Sequence, residues 1–254
     1  MIRFMGALVL LITYLSVMYT LVILKKDHGL INFTWGGGVI LIGLYTFLFY
    51  SAFNARQLLA TFLILFWGTR LIRHLILRYK KGTDPRFDDW EKKWGKYAFL
   101  ITFTWVALLQ GVLAIVMAIP IILINSQASG PLNLLDIVGY TLWVFGFCCQ
   151  SIADYQLRSF IKDQNNKDRV LTEGLWRYSR HPNYFGEMCM WLGLAFMALS
   201  VPYGFLGFIA PITITGIFFF FSIPLLENVF RDHPHYQRYK RKTSVFVLWL
   251  PKEE

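Results

Sequence analysis

Apolar segments of about twenty residues recur along most of this 254-residue chain, and no other feature narrows its fold so far. A helix of that length crosses a hydrocarbon core of roughly 30 Å. Lipid offers no hydrogen-bond partners, so a spanning segment satisfies its own backbone and is helical. The pattern places spans at Phe4–Leu24, Phe33–Phe53, Leu58–Tyr79, Tyr97–Ile124, Leu132–Ala153, Tyr184–Pro202 and Tyr203–Leu226. "SVPYG" (Ser200–Gly204) reads as a tight turn between the last two. Only 16% of residues are charged and mean hydropathy is +0.47, whereas a soluble domain carries roughly a quarter charged residues. The expected fold is all-α: a polytopic membrane helical bundle of about seven transmembrane helices forming a single integral membrane domain.

Seven spans put the termini on opposite sides. Twenty-three of the 25 Lys and Arg residues fall on one side, with Arg3 and Arg56 alone on the other. The positive-inside rule makes the crowded side cytoplasmic, so the N-terminus is expected outside and the C-terminus in the cytoplasm. The net charge of +10 then needs no nucleic-acid partner and suits contact with membrane lipids. Cys148, Cys149 and Cys189 fall inside spans without metal-ligand spacing or a disulfide framework. No small-residue cleavage site precedes Lys25, so the first segment reads as a retained span. A plasma or inner membrane is the expected location.

Polar residues at membrane depth single out candidate functional groups. In "WGTRLIRHLILRYKK", Arg70, His74 and Arg78 share one helical face. Arg78 suits a snorkelling role, while Arg70 and His74, about two turns deeper, suit a polar cavity. In "CCQSIADYQLRSF", Asp154 and Arg158 are one turn apart, a spacing that alone marks a common surface ion pair.

The stretch "GLWRYSRHPNYFGE" (Gly174–Glu187) packs arginines, tyrosines, a histidine, an asparagine and a glutamate between two apolar segments. Pro182 suits the first turn of a helix and His181 its N-cap. Free N–H groups there, joined by Arg177, Arg180 and His181, make a candidate anion site. Positive-inside charge alone would explain the arginines but not the buried Glu187. The tail "LLENVFRDHPHYQRYKRK" adds Glu227, Asn228, Arg231, His233, His235, Tyr236 and Tyr239, as a candidate lid.

"ADYQLRSF", "LTEGLWRYSRHPNYFGEMCMWLGLAF" and "ENVFRDHPHYQRYKRKTSVFVLWLP" resemble, in order and spacing, the C-terminal half of the steroid 5α-reductase family. The similarity is to its small microbial members, with weaker likeness to sterol C14-reductases and isoprenylcysteine carboxyl methyltransferases. "NFTWGGG" (Asn32–Gly38) and the segment Arg70–Arg78 add a looser match. The resemblance implies a helical membrane reductase that binds NADPH from the cytoplasmic side. It implies substrate-side helices in residues 1–130 and a cofactor half in 131–254. Asp154, Arg158, Arg177, Tyr178, Arg180, His181, Asn183 and His233 are the expected cofactor-binding residues. Substrate would be an apolar small molecule entering from the bilayer, and hydride would go to a double bond conjugated to a carbonyl.

The chain departs from that family near the carbonyl. Leu75 stands where the steroid enzymes carry a tyrosine, and the partner glutamate has no counterpart; Gly111 of "LLQG" replaces it in the nearest match. His74 becomes the candidate proton donor and Glu187 a supporting acid. Two alternatives stay open: an S-adenosylmethionine-dependent membrane methyltransferase, and a non-catalytic lipid-binding protein. The methyltransferases favour paired glutamates where this chain has Glu227 and Asn228. S-adenosylmethionine is a cation, so the arginines favour NADPH.

Overall fold

The computed structural model describes residues 2–25, 30, 33–78, 95, 98–127, 130–166 and 169–252, and all regular structure in them is helical. Asn32 and most of the basic segment 79–97 lie outside the described residues. The helices are α1 (Ile2–Lys25), α2 (Thr34–Tyr50), α3 (Ala55–Arg78), α4 (Ala98–Ser126), α5 (Leu134–Lys162), α6 (Pro182–Ala198), α7 (Ile209–Ile217), α8 (Ile223–Val229) and α9 (Pro234–Lys242). Five stretches are long and apolar enough to cross a membrane: Met5–Val22, Ala55–Leu77, Leu108–Ser126, Leu134–Lys162 and Gly204–Val229. The two other expected spans, α2 and α6, are helices of 17 residues each. α5 runs nine residues past its expected end at Ala153, so Asp154 and Arg158 are helical residues.

The chain divides into two compact units, Met1–Leu132 with Val201–Gly204, and Asn133–Ser200 with Phe205–Glu254. In the first, α2 packs against α1, α3 and α4. Asn125, fully buried, donates from Nδ2 to the Gly43 carbonyl and to Thr46 Oγ1, both at 3.2 Å. Gln57 donates to the Ile124 and Asn125 carbonyls, each at 3.2 Å, and its Oε1 accepts from Ala52 N at 2.9 Å. Arg56, expected from the sequence on the side poor in cations, is buried and donates to the Pro131 carbonyl at 2.9 Å.

In the second unit, α5 and α6 pack antiparallel at two glycine contacts. A Cβ on Gly139 would meet the Gly193 carbonyl oxygen at 2.5 Å, and one on Gly146 would meet that of Gly186 at 2.5 Å. No side chain fits at either crossing, so the backbones approach closely, as small residues permit in membranes. An Asn133–Asp136 capping box starts α5. Between α7 and α8 the helix widens to a π-turn over Phe218–Ser222. Pro224, which has no N–H to give, follows two residues later, and π-turns are a usual accommodation of such a break.

Candidate functional site

The α5–α6 glycine contacts set the register of everything beyond them. Gln150 and Asp154 follow Gly146 at one-turn steps on the buried face of α5. Gln150 Nε2 donates to Glu187 Oε2, and Trp191 Nε1 donates to the other oxygen at 2.9 Å. Glu187 is thus buried and held from both helices. One turn further along α5, Asp154 Oδ1 accepts from Asn183 Nδ2 at 3.3 Å. Arg158 follows on α5, half-buried.

The loop from α5 to α6 is stitched down before it reaches the helix start. Gly174 adopts φ +61°, a conformation that favours glycine. The next residue, Leu175, donates its N–H to Gln156 Oε1 at 3.1 Å. Trp176 Nε1 donates to the Ala153 carbonyl at 3.1 Å. The C-terminal tail then folds back over the loop. Arg180 N donates to the Ser244 carbonyl at 2.8 Å, Trp249 N to Tyr178 at 2.9 Å, and Ser179 Oγ to Phe246 at 2.7 Å. Tyr239 of α9 donates its hydroxyl to the Trp176 carbonyl, at the centre of this seam.

Those constraints gather an ionic cluster at the start of α6. The Arg180 guanidinium pairs with Glu227 Oε1, and Lys240 Nζ lies 2.7 Å from Glu227 Oε2. His181 Nε2 makes a longer approach of 3.5 Å to Glu227 Oε1. The Arg180 and Glu227 side chains are about nine-tenths buried, while Lys240 is 43% exposed. Arg180 Nε is buried and has no hydrogen-bond partner among the described residues. The His181 ring stacks on Tyr184, and Tyr184 on Phe218 at 4.2 Å, so three near-parallel rings run from the helix start to the π-turn. Burial pulls the His181 pKa down to about 4 against the opposing pull of Glu227, so the imidazole is neutral at pH 7. Burial, with Glu227 nearby, pushes the Tyr236 hydroxyl up to about 12, which leaves it a donor at neutral pH.

The second unit therefore brings together Asp154 with Asn183, and Arg180 with His181. Arg177 is exposed and Tyr178 half-buried beside them. His233 is the N-cap of α9, its Nδ1 accepting from Tyr236 N at 3.4 Å. His74 belongs to α3 of the first unit, where it and Arg70 are half-buried; the side chain of Arg78 lies outside the described residues. Gln150 and Trp191 went unread in the sequence, as did the role of Glu227 as the anion facing the Arg180 and Lys240 cations and the neutral His181 ring. The one-turn spacing of Gly146, Gln150 and Asp154 was an available signal for the first. Among the described residues, no group of three His, Cys, Asp or Glu side chains is placed to hold a metal ion.

Residues 18–243 match the model of a family described as a protein of unknown function, DUF1295. The chain is 28% identical to the 3-oxo-5-alpha-steroid 4-dehydrogenase 1 of Homo sapiens over 106 residues, 42% of this chain and 36% of that enzyme. It is 32% identical to the Macaca fascicularis protein of the same name over 65 residues, 26% of this chain and 25% of that one. For the Mus musculus protein the figures are 31% over 65 residues, 26% of each chain. The matched stretches span little more than a third of these relatives at most. No solved structure matches the chain.

Proposed function

The chain belongs to the DUF1295 family, which is the steroid 5α-reductase-like family, and from that premise we propose that it is a membrane-embedded NADPH-dependent reductase. Its substrate is an apolar lipid, steroid or isoprenoid-like molecule with a carbon–carbon double bond conjugated to a carbonyl. The observation that carries the cofactor assignment is the buried Arg180 Nε without an acceptor, at a helix start already rich in donors. A phosphate oxygen is the kind of acceptor that position suits. The neighbouring donors fit the same group, so the residues present suit a phosphorylated dinucleotide.

Arg158, Arg177, Tyr178 and Arg180 would hold the phosphates, with Asp154 and Asn183 fixing a polar edge. His181 stays neutral, which keeps Arg180 from facing a second buried cation. His233 orders the start of α9 over the site. When bound, the nicotinamide supplies hydride to the β-carbon of the substrate. Negative charge then develops on the carbonyl oxygen, and a positioned donor lowers that barrier. His74 is the proposed donor, and Glu187, clasped by Gln150 and Trp191, is the supporting acid. A proton completes the α-carbon, so the product gains two hydrogens. The site faces the cytoplasm and substrate enters from the bilayer.

The test is a binding titration of the detergent-purified protein with NADPH and, separately, S-adenosylmethionine, repeated on Arg158→Ala and Asn183→Ala. Saturable NADPH binding that falls about tenfold or more in both variants, with a two-hydrogen mass gain on an enone, is the expected result. Binding of S-adenosylmethionine alone would make the protein a methyltransferase. Binding of neither would leave it a lipid-binding protein without chemistry.

A further inference from the structure

A second polar feature of the same unit shares only Arg177 with that reading. A groove of about 910 Å³ is lined by Arg169, Arg177, Arg238, Lys242 and Lys252, with His235, Tyr239 and Leu250 among its other walls. None of the described lining residues is acidic. Its frame is rigid: Tyr239 is anchored to the Trp176 carbonyl, and Lys252 N donates to the Lys242 carbonyl at 2.9 Å. The tail that forms one wall also carries exposed apolar side chains, with Trp249 71% and Leu250 74% exposed.

The groove lies between the α5–α6 loop (Arg169, Arg177), α9 (Arg238, Lys242) and the C-terminal tail (Leu250, Lys252). Cations beside an exposed tryptophan and leucine match the headgroup layer of a bilayer, where Trp sits at the interface and basic residues meet lipid phosphate. Asp154 is buried and Asn183 half-buried, whereas Arg169, Arg177, Arg238 and Lys252 are exposed. An exposed basic groove with an apolar rim suits a ligand that stays continuous with a membrane surface. We propose that this groove binds the phosphate of an anionic phospholipid headgroup, with Trp249 and Leu250 against its glycerol and upper acyl region. The recognised chemistry is a phosphate group, which a soluble nucleotide also carries. Arg177 is common to both readings, whereas Arg169, Arg238, Lys242 and Lys252 belong to the groove alone.

The experiment uses the full chain in mixed micelles, titrated with phosphatidylglycerol or phosphatidylcholine and followed by thermal unfolding and by lipid retention. Its variant is the triple change Arg169→Gln, Arg238→Gln, Lys252→Gln, all at exposed positions, which leaves the proposed cofactor residues intact. The expected result is preferential retention of phosphatidylglycerol, weakened at least tenfold in the triple variant and by raised salt. Trp249→Ser should weaken it by a smaller factor without changing the salt dependence. Equal retention of both lipids, or no change in the triple variant, overturns the proposal. Displacement of the lipid by inorganic pyrophosphate or NADPH, with a matching tenfold loss of NADPH affinity in the triple variant, would also overturn it and assign the groove to a soluble phosphate. A triple variant that unfolds in phosphatidylcholine is replaced by Lys252→Gln alone, judged by the same lipid difference.

Discussion

The two units bury polar side chains in opposite ways. Around Asn125 in the first unit the groups are neutral: asparagine, glutamine and threonine donate to one another and to main-chain carbonyls. Around Glu227 in the second, charges meet: one carboxylate faces the Arg180 and Lys240 cations, with the neutral His181 ring alongside. Arg180 Nε is left over there. A neutral network closes on itself and ties helices together at modest cost. A charged cluster with more cationic than anionic groups is expensive to hold and keeps capacity for an anion. That contrast distinguishes the two clusters more sharply than burial does, since both are buried.

Glu227→Gln attacks the contrast most directly. It removes the carboxylate that Arg180 pairs with, and removing one partner of a buried pair costs roughly 3–5 kcal/mol. Thermal or denaturant unfolding in detergent measures it, and a loss below about 1 kcal/mol would mean water already screens the cluster. Acid should act on the same cluster through His181. Its folded pKa lies near 4, below the ordinary 6.5. Between those values the unfolded chain takes up the proton and the folded chain does not. Stability is therefore complete above pH 6.5 and erodes as pH falls toward 4, by up to about 3 kcal/mol. His181→Phe should flatten that slope, and an unchanged pH profile in the variant would assign the dependence elsewhere. Asn125→Ala is the control in the other unit. It strands buried acceptors and should cost about 1–3 kcal/mol, with no acid dependence and no change in NADPH affinity. A lost affinity in that variant would break the division between the two clusters.

The sequence displays its helices because lipid permits little else. Twenty apolar residues in a row carry their own structural instruction, and each expected span coincides with a helix. Individual charges were harder to read. Arg56 counts as a topological exception by sequence, yet its guanidinium caps carbonyls at Gly130 and Pro131, 74 and 75 residues away. Glu227 reads as the polar end of a span, because the cations that surround it come from 47 residues before and 13 after. The spacing of Pro182 after His181 did announce a helix start, since proline at the first turn is a local preference. Pairings such as Asp154 with Asn183 depend on the distance between two helices, which glycines fix and hydropathy does not describe.

Those glycines have a mechanical consequence. Seven residues separate Gly139 from Gly146, and seven separate Gly186 from Gly193, so the antiparallel helices mesh at two points like teeth of equal pitch. Two points of engagement fix sliding and rotation together. Each residue of an α-helix turns the next by about 100°. A single residue inserted between Gly146 and Asp154 would swing Asp154 away from Asn183 while leaving both gear contacts engaged. Helix length between the teeth and the polar end is thus held to the residue, although the same stretch would tolerate nearly any exchange of one lipid-facing side chain for another.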